Sequence, residues 1–145
     1  MIIGIDPGKG GGVASIASDK SIKIFNCPET IKEMVEILRS CRNYAWIENE
    51  PLLTFIEWVH AFPTDGRKGS FTFGTNYGIW LGIIESLGIP YKKVSPQKWM
   101  ASYKPLPKEK KLRKAKLKEL AQEWHPKATL KTSDAILIAV WGNNE

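Results

Sequence analysis

Residues 2–25 of this 145-residue chain have the sequence IIGIDPGKGGGVASIASDKSIKIF. Turn-forming residues at 6–12 and 18–20 divide this stretch into three apolar segments. The third segment, 21–25, alternates polar and apolar residues, which is typical of a strand with one solvent-exposed face. The pattern predicts a meander of three strands joined by tight turns.

The rest of the chain alternates between helical and strand patterns. Apolar residues recur at helical spacing from Pro28 to Pro51 at the latest, and 52–59 is a nearly continuous apolar run whose only charge is Glu57. The later patterns predict a polar loop at 61–70, a helix at 72–87, a strand at 89–94, a turn or short helix at 95–100, a basic helix at 108–124 and a last helix at 133–141. In the basic helix, the expected core-facing stripe is Leu112, Ala115, Leu120 and Trp124. The order βββαβαβαα predicts an α/β fold, a mixed five-stranded sheet flanked by helices, in a single domain covering 1–145.

Positive charge is concentrated in one part of the chain. Lys and Arg number 21 against 15 Asp and Glu, a formal net charge of +6. The stretch 104–118 holds eight basic residues and one acid, so its balance is +7 and the remainder sums to about −1. The basic residues of this patch are Lys104, Lys108, Lys110, Lys111, Arg113, Lys114, Lys116 and Lys118. Such a patch favours a polyanionic partner, nucleic acid before an anionic membrane surface; a solubilising helix face is the alternative.

Cysteine usage and hydropathy exclude several protein classes. Cys27 and Cys41 belong to no CxxC or Cys/His cluster, which argues against structural zinc and against a disulfide-stabilised secreted scaffold. The chain shows no secretory leader pattern, and no apolar run approaches the roughly 18 residues of a membrane span. We expect a cytoplasmic protein with no membrane partner.

Three acids lie where a carboxylate is costly to bury unless a cation or a hydrogen-bond donor satisfies it. Asp6 ends the first strand, Glu57 lies in the buried strand and Asp134 begins the last apolar helix. A single buried acid is more often a hydrogen-bonded structural residue, but three beside a basic patch favour a divalent metal site. Oxygen-only ligands suit Mg²⁺ or Mn²⁺, and two such ions about 4 Å apart promote phosphodiester hydrolysis.

Five motifs follow one another along the chain: IGIDPG at 3–8, EWVHAFP at 57–63, FTFGTNYG at 71–78, VSPQKW at 94–99 and SDAILIA at 133–139. Together they resemble the RuvC-like Holliday junction resolvases, most closely the phage and prophage type, over nearly the whole chain. The resemblance implies an RNase H-like nuclease domain. It also implies a homodimer that cuts four-way DNA junctions by paired, symmetric, Mg²⁺-dependent nicks, with Mn²⁺ as a substitute ion.

The resemblance also assigns roles to the acids. Asp6, Glu57 and Asp134 match the family's catalytic acids and metal ligands, with Asp6 between the two ions. Glu48 is the alternative for the second acid. We favour Glu57 because it directly precedes the WVHAFP stretch and lies 14 residues before Phe71, whereas Glu48 falls at the end of a predicted helix.

Lys131 departs from the family pattern. Bacterial members carry a fourth acid, or a histidine, about one helical turn before the last acid, and a protonated lysine cannot bind a metal ion. We hypothesise that Lys131 is instead a catalytic residue that holds the scissile phosphate; a solvated lysine at a helix start is the alternative. The departure leaves open whether one or two metal ions are bound.

Further DNA contacts are predicted outside the acidic centre. His60 or Phe62 lies where relatives place an aromatic wedge, and we expect one of them to stack on an unpaired base, with core packing as the alternative for Phe62. The candidate phosphate contacts are Arg67, Lys68, Ser70, Thr72 and Asn76, together with the basic patch. We interpret residues 8–12 as a tight hairpin turn that leaves room at Asp6, in preference to a phosphate-binding loop.

Three glycines predict a close helix contact. Gly74, Gly78 and Gly82 recur every four residues and therefore share one face of the predicted helix. Since each interior glycine costs about 1 kcal/mol relative to alanine, a packing reason is expected. We expect this face to form the homodimer interface; packing against the protein's own sheet is the alternative.

The sequence thus predicts a homodimeric, Mg²⁺-dependent DNA endonuclease that resolves four-way junctions in recombination or replication. It would act at the nucleoid or, if phage-encoded, in the host cytoplasm. Two alternatives stay open. One is a catalytically weak protein that binds branched DNA, and the other is an RNase H-like nuclease acting on other branched DNA or on RNA/DNA hybrids.

Overall fold

The structure, a computed structural model, describes residues 1–58 and 66–145. His60 and Phe62, the predicted stacking residues, lie outside the described residues. The elements are β1 (Ile2–Asp6), β2 (Gly12–Ile16), β3 (Ile22–Asn26), α1 (Ile31–Ile47), β4 (Leu53–Glu57), α2 (Arg67–Ser86), β5 (Tyr91–Val94), α3 (Pro96–Met100), α4 (Lys110–Trp124) and α5 (Ser133–Asn143).

The strands form one five-stranded sheet in the order β3-β2-β1-β4-β5. The first three strands pair antiparallel, with Asp6 at the end of β1 opposite Gly12 at the start of β2. On the other side of β1, β4 and β5 join in parallel, with Ile5 opposite Ile56. The predicted meander and the predicted mixed sheet are therefore confirmed.

Three helices begin at residues that satisfy free backbone N–H groups. The Thr30 hydroxyl accepts from the Glu33 amide while the Glu33 carboxylate accepts from the Thr30 amide, which is a capping box at the start of α1. The Ser95 side chain caps α3, which has Pro96 in its first turn. The Glu109 carboxylate caps α4 by accepting from two amides of the first turn. These caps define where the three helices begin.

Helix α5 is buried on all sides, since every residue from 133 to 142 is buried. It crosses β1 so closely that a Cβ on Gly4 would lie 2.6 Å from the backbone nitrogen of Ala139 and would also clash with the carbonyl oxygen of Ala135. This approach explains why a glycine interrupts the isoleucines of β1. Among the described residues, no helix has both the length and the apolar character that a bilayer crossing requires.

Helix α2 begins earlier than predicted. The loop predicted for 61–70 ends in a helix that starts at Arg67, with Gly66 as its N-cap. Residues 67–70 contain no apolar side chain, so hydrophobic periodicity gives no indication of this turn. It extends a helix whose buried residues, Trp80, Ile83 and Ile84, all lie in its second half. Arg67, Lys68 and Ser70 therefore lie on the first turn of a helix and not in a loop.

The apolar stripe predicted for α4 is wrong except at Leu120, which packs against the core; Ala115, Leu112 and Trp124 are exposed. Leu117 and Ala121 are the buried residues, whereas Leu112 and Trp124 are 59% and 53% exposed. The helix packs against α5 through Leu117 and the small Ala121, which pack in the same core as α5. This rotation places Lys114, three residues before Leu117, on the side that faces α5.

The crossing of α5 over β1 generates a stability prediction. We expect Gly4→Ala to lower the free energy of unfolding by about 2–3 kcal/mol, because the added methyl group meets backbone atoms that cannot move aside. Urea unfolding followed by circular dichroism measures the change. Gly10→Ala is the matched control, since no atom lies within 4 Å of a Cβ there. Equal stability of the two variants would show that α5 can shift.

Candidate active site

The three predicted acids converge at one edge of the sheet. Asp6 and Glu57 are the last residues of β1 and β4, which are parallel neighbours, so both side chains leave the sheet at the same end. Asp134 lies in the first turn of α5, beside this edge, and is 5% exposed. Strand ends and a helix start from three distant parts of the chain therefore meet.

The convergence leaves uncompensated negative charge. Burial, together with the carboxylates of Glu57 and Asp134, raises the pKa of Asp6 well above its ordinary value, and Lys114 offsets this only in part. Burial also raises the pKa of Glu57; a hydrogen bond from Trp99 opposes the rise, Asp134 adds to it and Lys114 opposes it. A site that crowds like charges in this way is ready to accept a cation.

Trp99 holds the Glu57 carboxylate in place. Its indole N–H donates to Glu57 Oε1 at 2.9 Å, and the ring is fully buried. Ser95 and Pro96 start the short helix α3 directly after β5, and that helix brings the ring to the end of β4. Trp99 was predicted only as part of the VSPQKW motif, and this role was not predicted. The feature of the sequence that could have indicated this role is a tryptophan one helical turn after the Ser95–Pro96 helix start.

Lys114 has a contact that the sequence did not predict. It was predicted to contact DNA with the rest of the basic patch, but its ammonium group forms an ion pair with Asp134 Oδ2. Burial lowers the pKa of Lys114, but the carboxylates of Asp134, Asp6 and Glu57 outweigh burial and raise it. The lysine therefore stays charged inside the acidic site.

Lys131, the predicted phosphate-holding residue, is exposed. It lies two residues before α5, and among the described residues no ion pair joins it to the three acids. Its side chain lines a groove with Cys27 and Glu29 on the β3 side of the sheet. Lys114, and not Lys131, is the lysine that the structure brings to the carboxylates.

Glu48, the alternative second acid, lies far from this arrangement. It is the exposed C-cap of α1, as expected of a helix end. The neighbouring Glu50 pairs with the N-terminal ammonium group at 3.0 Å. The structure therefore places Glu57, and not Glu48, beside Asp6 and Asp134.

The turn after Asp6 is a tight hairpin, as interpreted from the glycines. Gly8 has φ +104°, and a Cβ there would lie 2.7 Å from the Phe73 ring. The Gly8 amide donates to Asn76 Oδ1 at 2.7 Å, and the Asn76 amide group donates to Cys27 Sγ at 3.6 Å. The oxygen and the amide group of the Asn76 side chain thus both form hydrogen bonds within the protein. Its prediction as a phosphate contact did not include this role.

Basic groups lie on two surfaces of the protein. Lys68 and Thr72 line a groove of about 430 Å³ together with Gly8, Lys9, Gly69 and Phe73. The exposed lysines of the basic patch are Lys104, Lys108, Lys110, Lys111 and Lys116. Lys118 is partly buried, and Arg113 donates to the carbonyl oxygens of Lys108 and Pro107, which secures the start of α4.

The donor set fits a divalent cation by its chemistry, because three carboxylates supply the oxygen ligands that Mg²⁺ prefers. The geometry is not that of a closed metal cage, however. Within residues 1–58 and 66–145, no group of three His, Cys, Asp or Glu side chains is arranged to hold a metal ion. Lys114 occupies one oxygen of Asp134 instead.

Comparisons with known proteins identify the fold. No protein-family model matches the chain, and no curated protein matches it. Thermus thermophilus RuvC in complex with a Holliday junction matches with a TM-score of 0.61 and 15% identity, over 97% of this chain and 90% of that one. A second T. thermophilus RuvC structure matches with a TM-score of 0.50 and 18% identity, over 97% of this chain and 91% of that one. The yeast mitochondrial Holliday junction resolvase matches with a TM-score of 0.44 and 14% identity, over 97% of this chain and 74% of that one. The chain has the RNase H-like fold of RuvC, as expected.

The raised pKa of Asp6 generates a pH prediction for the metal-free protein. The unfolded chain ionises an aspartate near pH ~3.9, whereas folded Asp6 resists ionisation, so the wild type loses stability as the pH rises above this value. We expect Asp6→Asn to be more stable than the wild type by about 1–2 kcal/mol at pH 7, with the gap closing near pH 4. Urea unfolding in EDTA across this range measures it.

Asp19→Asn is the control for this prediction. Hydrogen bonds from Ser21 lower the pKa of the exposed Asp19, so its replacement should have the opposite sign. A pH-independent gap between Asp6→Asn and the wild type would contradict the assignment of Asp6 as a crowded buried carboxylate.

Proposed function

We propose that this protein is a Mg²⁺-dependent, structure-selective DNA endonuclease that resolves four-way junctions by paired, symmetric phosphodiester hydrolysis. The observation that carries the proposal is the convergence of Asp6, Glu57 and Asp134 beside a basic helix, in a chain with the RuvC fold. One RuvC of that fold is bound to a Holliday junction, which supports branched DNA as the substrate.

The acids and their neighbours would have different roles in the reaction. Asp6, Glu57 and Asp134 would hold the cation, and Trp99 keeps the Glu57 carboxylate oriented toward it. Bound Mg²⁺ (or Mn²⁺) would activate water for attack on the phosphodiester and stabilise the charge on the leaving oxygen. The exposed lysines of α4 bind the DNA backbone, each neutralised phosphate adding about 0.9 to the salt dependence of binding.

Residues near the β1–β2 turn are positioned to continue this backbone contact. Lys68 and Thr72 line the groove beside Gly8, directly after the strand that ends in Asp6. The first turn of α2 adds Arg67 and the free amides of a helix N-terminus, which favour phosphate oxygens. Lys9, absent from the sequence-based set, belongs to the same surface.

A homodimer is part of the proposal because two identical sites related by a two-fold axis can nick two strands of like polarity. Gly74, Gly78 and Gly82 are exposed, and apart from the adjacent residues and backbone of α2 itself, no described atom lies within 4 Å of a Cβ built on any of them. The alternative, in which these glycines pack on the protein's own sheet, is therefore wrong for the described residues. Phe71, 78% exposed, begins the same stretch of helix.

Nicking assays test the catalytic assignment. We expect Glu57→Gln to reduce junction nicking by about 100-fold or more while leaving junction binding nearly unchanged, since even outer partners of metal ligands are worth about 10- to 100-fold. Glu48→Gln should nick normally. The measurement uses labelled four-way junction, duplex, flap and RNA/DNA hybrid with Mg²⁺, Mn²⁺ or EDTA.

The substrate panel also separates the rival functions. Paired nicks on the junction alone support the proposal, whereas equal cutting of the hybrid or the flap supports a broader RNase H-like nuclease. Tight junction binding by folded protein without cutting in either metal would overturn the proposal in favour of a binding protein. The reverse behaviour of the two glutamine variants would overturn the assignment of Glu57.

Light scattering tests the glycine face. We expect Gly78→Leu to shift the protein from dimer to monomer, because the leucine side chain would hold a second helix away while still favouring α2 itself. Gly69→Leu is the matched control; it lies on the same helix, half a turn around from Gly78, and its Cβ also meets open space. An unchanged dimer in Gly78→Leu would place the interface elsewhere.

A further inference from the structure

Lys114 is connected to the acidic site in an unusual way. It belongs to the basic patch, yet its side chain leaves that surface and its ammonium group pairs with Asp134, whose side chain is 7% exposed. Asp6 and Glu57 lie within electrostatic reach of the same ammonium group. In the part of the chain that the structure describes, it is the only Lys or Arg side chain in an ion pair with any of the three acids.

The ion pair neutralises only part of the negative charge of the site. One ammonium group faces three carboxylates, and the pKa of Asp6 remains raised in spite of it. A divalent cation would bring more positive charge to the same oxygens. Because Lys114 already bonds Asp134 Oδ2, the ammonium group and a cation liganded by Asp134 cannot both have full use of this carboxylate.

The Lys114 side chain is also able to move away from Asp134. Its side chain is 39% exposed, so the ammonium group has a direct way to solvent. A lysine carries its charge on a flexible four-carbon stem with freely rotating donors, unlike the rigid fork of an arginine. The exposed lysines Lys110 and Lys111 lie one turn before it on α4, where DNA phosphates are proposed to bind.

We propose that Lys114 is a built-in counter-ion of the carboxylate site, which competes with a divalent cation for Asp134 and is released toward the DNA when the cation binds. The inference rests on the proposed function and assigns Lys114 two alternative partners. In the metal-free protein it pairs with Asp134. In the metal-bound protein it joins the basic surface of α4 and pairs with a phosphate near the site of cutting.

Calorimetry without DNA tests the competition. Metal-free wild type, Lys114→Met and Lys118→Met are titrated with Mn²⁺, with circular dichroism as the check of folding. We expect Lys114→Met to bind Mn²⁺ at least about 10-fold more tightly than the wild type. Lys118→Met, which removes the same charge one turn further along α4, should stay within about 2-fold. Lys114→Gln replaces Lys114→Met if the latter does not fold.

Junction binding provides the second readout. Replacing Lys114 should weaken junction binding when Ca²⁺ is present and have little effect in EDTA, because only the released ammonium group is free for phosphate. Equal effects in Ca²⁺ and EDTA would overturn the release step. Equal or weaker Mn²⁺ binding by folded Lys114→Met would overturn the competition.

These outcomes separate the inference from the proposed function. If Lys114→Met and the wild type bind Mn²⁺ equally and the wild type still nicks junctions, only the role of Lys114 is refuted. If none of the proteins binds Mn²⁺ and none nicks junctions, the metal-dependent function and the inference are both refuted.

Discussion

The distance between α5 and β1 governs the acidic centre. Gly4 has no side chain, so the helix backbone rests directly on the strand, and the two carboxylates that these elements carry come together at the end of the strand. A larger residue at this position would push α5 away from β1, and with it Asp134 away from Asp6. Close backbone packing in the core is therefore the condition on which the chemistry depends.

The resulting site is costly to the fold. Burial, together with repulsion from the neighbouring carboxylates, raises the pKa values of Asp6 and Glu57. Two groups from different helices offset part of this cost, the indole of Trp99 on α3 and the ammonium group of Lys114 on α4. Destabilising clusters of like charge are common at binding sites, where function is kept at some cost in stability. A cation would be bound most favourably at such a cluster.

Much of this arrangement could be predicted from the sequence. Alternating apolar strands and glycine-rich turns predicted the meander, and an acid at the end of an apolar segment identified Asp6 and Glu57 correctly as neighbours. The rotation of α4 was not predictable from its lysines, because a patch with charges on most faces has almost no apolar periodicity. The helical spacing of Lys114, Leu117 and Ala121 is compatible with the buried face of α4 that the structure shows. However, only packing against α5 distinguishes this face from one at Leu112 and Trp124.

Asn76 has a consequence that reaches beyond the turn it supports. It lies on α2, about half a helical turn away from the open face at Gly78, and its side chain grips Gly8 two residues after Asp6. The 20-residue helix α2 therefore carries both the open glycine face and the side chain that supports the loop beside the carboxylates. A partner bound at the glycine face would lie on the same element as this support of the acidic centre.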